Sequence, residues 1–322
     1  MSSSAEHDAP LVRLRRLEKR YRAKRALGPI DLELTRREIV GVVGPDGGGK
    51  TTLLRALAGL LEVSAEEATV LGHDLRDDPT ELKRLIGYVP QAFSLQRDLS
   101  VMENLWFTAK LHRIAAEEFR RRAGVLLDRT GLAPFIDRLA GALSGGMKQK
   151  LAISNALLIA PRLVILDEPT AGVDVVARSE IWALLEAERA HALVVISTSY
   201  LDEAAACDRL VYLDDGHLIA TGSPEELRVR VPLELFRVWG GDARGIARAA
   251  RQLTYVSASR ACAGYARVEV RPDGADRAVI LAELRRLPGA RFAERATVDM
   301  ESTLLALARE AEGSSARDGS RT

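Results

Sequence analysis

Gly44-Pro45-Asp46-Gly47-Gly48-Gly49-Lys50-Thr51-Thr52 is the stretch on which the reading of this chain turns. It follows Glu38-Ile39-Val40-Gly41-Val42-Val43, a short apolar run that reads as a buried strand. It precedes Leu53-Leu54-Arg55-Ala56-Leu57-Ala58, which reads as a helix. Strand, glycine-rich loop and helix are the context in which G-x-x-x-x-G-K-[ST] is a phosphate-binding loop. The glycines let the backbone bend so that successive N–H groups face one concavity. A polyphosphate held there sits at the positive end of the helix. Lys50 then reaches the β- and γ-phosphates, and Thr51 places its hydroxyl on Mg²⁺. A glycine-rich turn that matches by accident is the alternative, and the flanking elements speak against it.

Working outward, the 322 residues exceed one typical domain and suggest about two. Hydrophobic content of 47% and charged content of 28% are those of a soluble globular protein. A net charge of +1 gives no global attraction to nucleic acid or anionic lipid. Cys207 and Cys262 lack metal-ligand spacing and read as reduced thiols. The most apolar region, Leu151 to Leu166, is interrupted by Ser154, Asn155, Pro161 and Arg162, so no membrane span is expected. Met1 to Pro10 has no basic start followed by an apolar core, unlike a signal peptide. The expectation is a protein on the cytoplasmic side whose membrane role, if any, comes through a partner.

Along the chain, residues 1–10 are expected to be disordered. Leu11 to Leu17 alternates apolar and basic residues, as a half-exposed strand does. Seven of the residues from Arg15 to Arg25 are Lys or Arg. With no interleaved aromatic beyond Tyr21, this reads as a solvated hairpin face rather than a nucleic-acid patch. Tyr21 lies upstream of the phosphate loop at a distance suited to stacking on a base, and equally suits an ordinary strand aromatic. Gly28-Pro29 reads as a turn, followed by a strand at Ile30 to Leu34. Strands are also expected at Ala68 to Leu71 and Ile86 to Val89, with a short helix at Asp78 to Arg84 between them. Gln91, just past a strand end, could complete a metal site by its side-chain carbonyl or be a plain loop residue.

From Val101 to about Ala160 the pattern is helical. Ser144 suits an N-cap for the helix opened by Gly145-Gly146-Met147, whose N–H groups could face an anion. Leu163 to Leu166 is apolar on both faces, like a central parallel strand, and ends in Asp167-Glu168. Two carboxylates at the carboxyl end of such a strand lie where α/β sheets bind ligands. There Asp167 holds the Mg²⁺ shell and Glu168 orients and polarises a water. A helix at Val175 to Arg189 and a strand at Ala192 to Ser197 follow, then strands at Arg209 to Leu213 and His217 to Ala220. Past residue 230 the character changes. Strands at Leu233–Trp239, Ala266–Val270 and Ala290–Ala293 alternate with helices at Asp242–Gln252, Ala275–Leu287 and Met300–Glu310. Residues 231–312 are thus expected to form a small α+β accessory domain, and 313–322 a disordered tail.

Taken together, these motifs resemble the ATPase subunit of an ABC transporter, over residues 11–230. The resemblance rests on the phosphate loop, Gln91, Leu143-Ser144-Gly145-Gly146-Met147, Leu163 to Glu168, and the segment around Asp174. It is nearest to the bacterial drug- and antibiotic-exporter ATPases. It implies an α/β P-loop NTPase core with an antiparallel β subdomain and a helical signature subdomain at about 92–160. It implies ATP and Mg²⁺, and two ATPase domains that sandwich two ATP molecules head to tail. Nucleotide contacts would come from Tyr21, Gly44, Pro45, Asp46, Gly47, Gly48, Gly49, Lys50, Thr51 and Thr52. Ser144, Gly145, Gly146 and Met147 would contact the partner chain's ATP. Thr51, Gln91 and Asp167 would serve the metal, and Glu168 would be the catalytic carboxylate. The implied partners are transmembrane permease subunits and a second ABC ATPase, identical or different, at the cytoplasmic face of the membrane; no nucleic acid is expected.

Four positions depart from the family pattern. Asp46 and Gly48 stand where Asn and Ala are usual, and Met147 stands in place of Gln. In Ser197-Thr198-Ser199-Tyr200 the third residue replaces the family's switch histidine. Ser199 is neutral and shorter than an imidazole. This chain's own catalytic site, Glu168 with Ser199, is therefore expected to be slow and to suit pairing with a second ATPase. The alternative of another class is a soluble ABC ATPase of the translation or DNA-repair type; those carry two ATPase domains or a long coiled coil, which this sequence lacks.

Overall fold

The computed structural model describes residues 10–22, 24–271 and 276–318. The chain forms two compact units, Met1–Ser223 and Pro224–Thr322.

The first unit begins with β1 (Val12–Tyr21), β2 (Lys24–Leu34), β3 (Ile39–Val43), α1 (Lys50–Leu57), β4 (Glu67–Val70), β5 (His73–Asp74), α2 (Thr80–Arg84) and β6 (Ile86–Val89). A helical stretch follows, α3 (Val101–Leu111), α4 (Ala116–Thr130) and α5 (Gly145–Leu157). The unit closes with β7 (Leu163–Asp167), α6 (Val175–Glu188), β8 (Leu193–Ser197), α7 (Leu201–Ala206), β9 (Arg209–Asp214) and β10 (His217–Gly222). These strands make two sheets, an antiparallel one in the order β2-β1-β4-β5 and a six-stranded one in the order β10-β9-β3-β8-β7-β6. In the second sheet all neighbours are parallel except β10.

Every residue of β3, β7 and β8 is buried, because helices or the other sheet cover both faces. That is why these strands read as continuous apolar runs. Leu14, Leu17, Leu27 and Ile30 pack with Leu53, Leu54 and Leu57 of α1 in one core, all at 0% exposure. Each such side chain contributes about 1.5–3 kcal/mol. Helix starts follow local chemistry. Ser100 and Glu103 bond reciprocally to each other's backbone N–H at the start of α3. Ser144 caps α5 by accepting from Met147 N, and Asp174 caps α6 by accepting from Ala177 N.

The second unit contains α8 (Pro224–Arg230), β11 (Glu234–Gly240), α9 (Ala243–Ala250), β12 (Val256–Ala261), β13 (Tyr265–Val270), α10 (Arg277–Arg285), β14 (Ala290–Ala296) and α11 (Met300–Asp318). Its sheet is antiparallel, in the order β12-β13-β11-β14. Phe236, Val238, Ile246, Val268, Ile280 and Leu284 form its core. A buried polar network ties the sheet to α11. Arg267 donates to Asp299 and Ser302, Ser302 donates to Glu269 at 2.7 Å, and Arg309 donates to the other Glu269 oxygen at 2.9 Å.

Two sequence expectations are corrected, and one strand is found that the sequence pattern did not announce. Gly28-Pro29 is not a turn but lies inside β2, opposite an irregular register between Leu14 and Arg20 of β1. Gly28 has φ +119°, and a methyl there would lie 2.5 Å from Glu18 Cγ, so only glycine lets β2 pass so close to β1. Strand β12 carries no apolar run; Ser257 and Ser259 sit in it with hydroxyls bonded to the Glu269 and Arg267 carbonyls of β13. Helix α8, after Ser223, falls within the second compact unit. Residues 313–318, expected to be disordered, continue the α11 backbone, since one glycine costs a helix only about 1 kcal/mol. Residues 1–9 and 319–322, also expected to be disordered, lie outside the described residues.

Candidate functional site

At the carboxyl ends of β3 and β7 the glycine-rich loop bends into α1. Gly44 has φ +149° and lies against β9, where a methyl would meet the Leu213 carbonyl at 1.9 Å. Gly49, at φ +104°, is the residue before α1. Neither position accepts a side chain without shifting backbone. Lys50 is buried, and its ammonium donates back to the Gly44 carbonyl at 2.8 Å and the Pro45 carbonyl at 3.0 Å. Asp46 is fully exposed, with one carboxylate oxygen 3.9 Å from that ammonium.

Asp167 ends β7 and is buried. Its Oδ1 accepts from Thr51 Oγ1 at 3.1 Å and from Ser197 Oγ at 2.7 Å. Its Oδ2 is buried and takes no hydrogen bond. Leaving such an oxygen unpaired costs about 1–3 kcal/mol, an arrangement that suits a cation. Thr51 and Asp167 are thus in mutual contact, and a hard cation such as Mg²⁺ fits their oxygen donors. Glu168 follows in the left-handed region at φ +50°, which ends the strand. Its N–H donates to Ser197 Oγ at 2.9 Å. Gln91 Nε2 donates to Glu168 Oε2 at 2.8 Å, and Ser199 Oγ donates to Oε1 at 3.2 Å.

Asp46, Gly47, Gly49, Lys50, Thr51 and Thr52 line one open cleft of about 500 Å³ together with Gln91, Glu168 and Ser199. Residues more than a hundred positions apart are therefore brought to one wall-to-wall site. Gly44, Pro45 and Gly48 form the loop's backbone; Gly48 N donates to the Pro45 carbonyl at 3.0 Å. Tyr21 stands apart from the cleft lining, 45% exposed at the end of β1. Ser144 and Gly145 are exposed at the start of α5, Gly146 is buried and Met147 half-buried, and none of them lines this cleft. A methyl at Gly146 would lie 2.6 Å from Ala177 Cβ, so this glycine is needed for the packing of α5 on α6.

Sequence reading missed Ser197 as a site residue. Its hydroxyl donates to Asp167 and accepts from Glu168 N, fixing the Asp167 carboxylate and the Glu168 backbone. The signal was there: a polar residue ends an otherwise apolar strand beside the one that carries the acidic pair. Among the described residues no group of three or more His, Cys, Asp or Glu side chains could hold a metal by itself. Nor is any helix among them long and apolar enough to cross a membrane.

The sequence model of the family described as "ABC transporter" matches residues 27–171. A probable multidrug ABC transporter ATP-binding protein of Escherichia coli K12 is 42% identical over 220 residues, covering 67% of this chain. The chain spans 38% of that relative's length. The daunorubicin/doxorubicin resistance ATP-binding protein of Streptomyces peucetius is 36% identical over 240 residues, 74% of this chain and 73% of the relative. A solved ATP-binding cassette, a dimer in a post-hydrolysis state bound to ADP and Pi, superposes with a TM-score of 0.61 at 29% identity, covering 66% of this chain and 98% of that one. With the loop, the acidic strand end and the α/β core in place, the chain belongs to the ABC transporter ATP-binding protein family.

Proposed function

We propose that this protein is the ATP-binding and hydrolysing subunit of an ABC export complex, acting through separate membrane subunits at the cytoplasmic face. The observation that carries the proposal is the convergence of Lys50, Thr51, Gln91 and Glu168 on one cleft. Lys50 exchanges the Gly44 and Pro45 carbonyls for phosphate oxygens, and backbone N–H groups of 46–52 take the rest. Thr51, Gln91 and Asp167 would hold Mg²⁺, which when bound supplies positive charge against the phosphate oxygens. Glu168 accepts a proton from the attacking water. Ser199 offers a short neutral donor in place of an imidazole, so the site turns over slowly. Tyr21 stacks on the base.

Ser144, Gly145, Gly146 and Met147 complete the ATP site of a second ABC ATPase, identical or different. The exposure of Ser144 and Gly145 at a helix start, and the absence of all four from this chain's own cleft lining, support that role. The slow own site favours a different partner, with the faster site elsewhere in the pair. Residues 11–230 form the ATPase domain and 231–312 an accessory domain that supports regulation or pairing. The relatives' names support drug export, and they do not favour the translation or DNA-repair alternative. Equilibrium binding of MgATP to the wild type and Lys50→Ala tests the site: affinity falls by about one to two orders of magnitude, since a charge-assisted contact of about 1.5–3 kcal/mol is lost. Unchanged affinity contradicts it.

A further inference from the structure

The phosphate cleft is poor in positive charge. Asp46 and Glu168 line it, with Lys50 as the one cation among the described lining residues. Asp167 bonds directly to Thr51 of the same cleft. The Asp214-Asp215-Gly216 turn abuts the loop, with Gly216 N donating to the Gly48 carbonyl at 3.1 Å. Two carboxylates line the cleft beside one ammonium, a third bonds to its Thr51 and two more lie on the adjoining turn, so the phosphates of an incoming nucleoside triphosphate meet net negative charge.

Cations stand beside it. Arg20, Arg22, Lys24 and Arg25 are exposed at the tip of the β1–β2 hairpin. Their side chains make no hydrogen bond or ion pair with any described residue, the two carboxylates of the neighbouring turn included. The register sets Arg20 directly opposite Arg25, and Tyr21 opposite Lys24. Like charges in that position destabilise a sheet, so stability of the fold gives no reason for the Arg20–Arg25 pair. The hairpin is also seated on the phosphate loop. The carbonyl of Ala26, next to Arg25, would lie 3.1 Å from a methyl on Gly49 and 2.8 Å from one on Gly216. Gly28 N donates to the Gly216 carbonyl at 2.9 Å. Arg25 therefore leaves the chain one residue from the phosphate loop, well within the range over which charges act at about 0.1 M salt.

We propose that the hairpin tip is an electrostatic steering patch for the nucleoside triphosphate. Arg20, Arg22, Lys24 and Arg25 supply the attractive field that Asp46, Asp167, Glu168, Asp214 and Asp215 remove. The patch acts on the triphosphate's charge and is indifferent to the base. This rests on the nucleotide-binding reading above and adds capture to it.

The test is stopped-flow binding of the methylanthraniloyl ester of ATP, with Mg²⁺, to the full chain and to Arg22→Gln/Lys24→Gln at low and high salt. The double variant binds about tenfold more slowly at low salt, with an unchanged dissociation rate, and the two proteins converge at high salt. The corresponding GTP ester shows the same ratio. As a check that needs no ligand, Arg25→Gln melts no lower than the wild type, because a like-charge pair is relieved. Equal association rates and salt slopes in wild type and variant overturn the proposal, as does an effect confined to dissociation. Binding of the wild type to phosphatidylglycerol vesicles that is lost in the variant, with association of the ATP ester unchanged, assigns the tip to a lipid surface and likewise overturns it. A wild-type chain that binds no nucleotide at any salt refutes the underlying reading instead.

Discussion

Ser199 donates its hydroxyl to Glu168 Oε1 across 3.2 Å, from the loop that follows β8 to the end of β7. Gln91 donates to the other oxygen at 2.8 Å, so both Glu168 oxygens carry a neutral donor. The site thus keeps its carboxylate oriented but offers no imidazole toward developing charge on the phosphate. Ser199→His restores a donor of that kind, and loss of one such donor commonly costs about 10²–10³-fold in turnover. Steady-state hydrolysis by the purified chain is expected to be slow and to rise in the variant. Fast turnover by the wild type, unaffected by the substitution, removes the degenerate-site proposal.

Asp46 is fully exposed and 3.9 Å from Lys50, so its effect on the nucleotide is screened and small. Asp46→Asn is expected to tighten MgATP binding only a few-fold, in keeping with exposed pairs of roughly 0.2–1 kcal/mol. The gain should shrink as salt rises. Titration calorimetry at two ionic strengths measures both.

Ser197 holds Asp167 and the Glu168 N–H with one hydroxyl. Ser197→Ala leaves a second buried gap beside the partnerless Asp167 Oδ2. The variant is expected to lose about 1–3 kcal/mol of stability and to need more Mg²⁺ for half-maximal hydrolysis. Thermal unfolding and a Mg²⁺ titration check the two effects separately, and Ser197→Thr, which keeps the hydroxyl, should recover the Mg²⁺ dependence.

In the second unit Arg260 holds the Glu301 carboxyl below its ordinary value of 4.5. Burial pushes the Asp299 carboxyl up, but the Arg267 guanidinium and the Ser302 N–H outweigh it and leave it below 3.8. Carboxyls depressed on folding stabilise fully above their unfolded values, and that stabilisation is lost as pH falls through the folded ones. Unfolding of this unit should therefore become easier below about pH 4.5. Asp299→Asn should flatten the slope. Arg267→Ala, which removes the donor to Asp299 and Ser302 while Glu269 keeps Ser302 and Arg309, should cost about 1–3 kcal/mol.

The first unit was legible because its function needs sequence-local chemistry. A backbone cradle requires clustered glycines, and strands buried on both faces leave apolar runs such as Leu163 to Leu166. What sequence did not reveal depends on neighbours distant in the chain. Ser197 gains its role only where β8 pairs with β7, Asp167 opposite Ser197. Strand β12 is held by serine hydroxyls bonded to β13 rather than by apolar alternation. Gly28 looks like a turn until the passing Glu18 shows why the position excludes a side chain.

The central claim is that Glu168 performs the chemistry in a cleft that binds ATP by other groups. Parallel measurement of MgATP affinity and steady-state hydrolysis in the wild type and Glu168→Gln tests it most directly. The amide keeps the shape and can still meet Gln91 and Ser199, but cannot take a proton. The account predicts affinity within a few-fold of wild type and turnover lower by about 10²–10⁴-fold. Wild-type turnover in Glu168→Gln, with ATP bound as before, would contradict it.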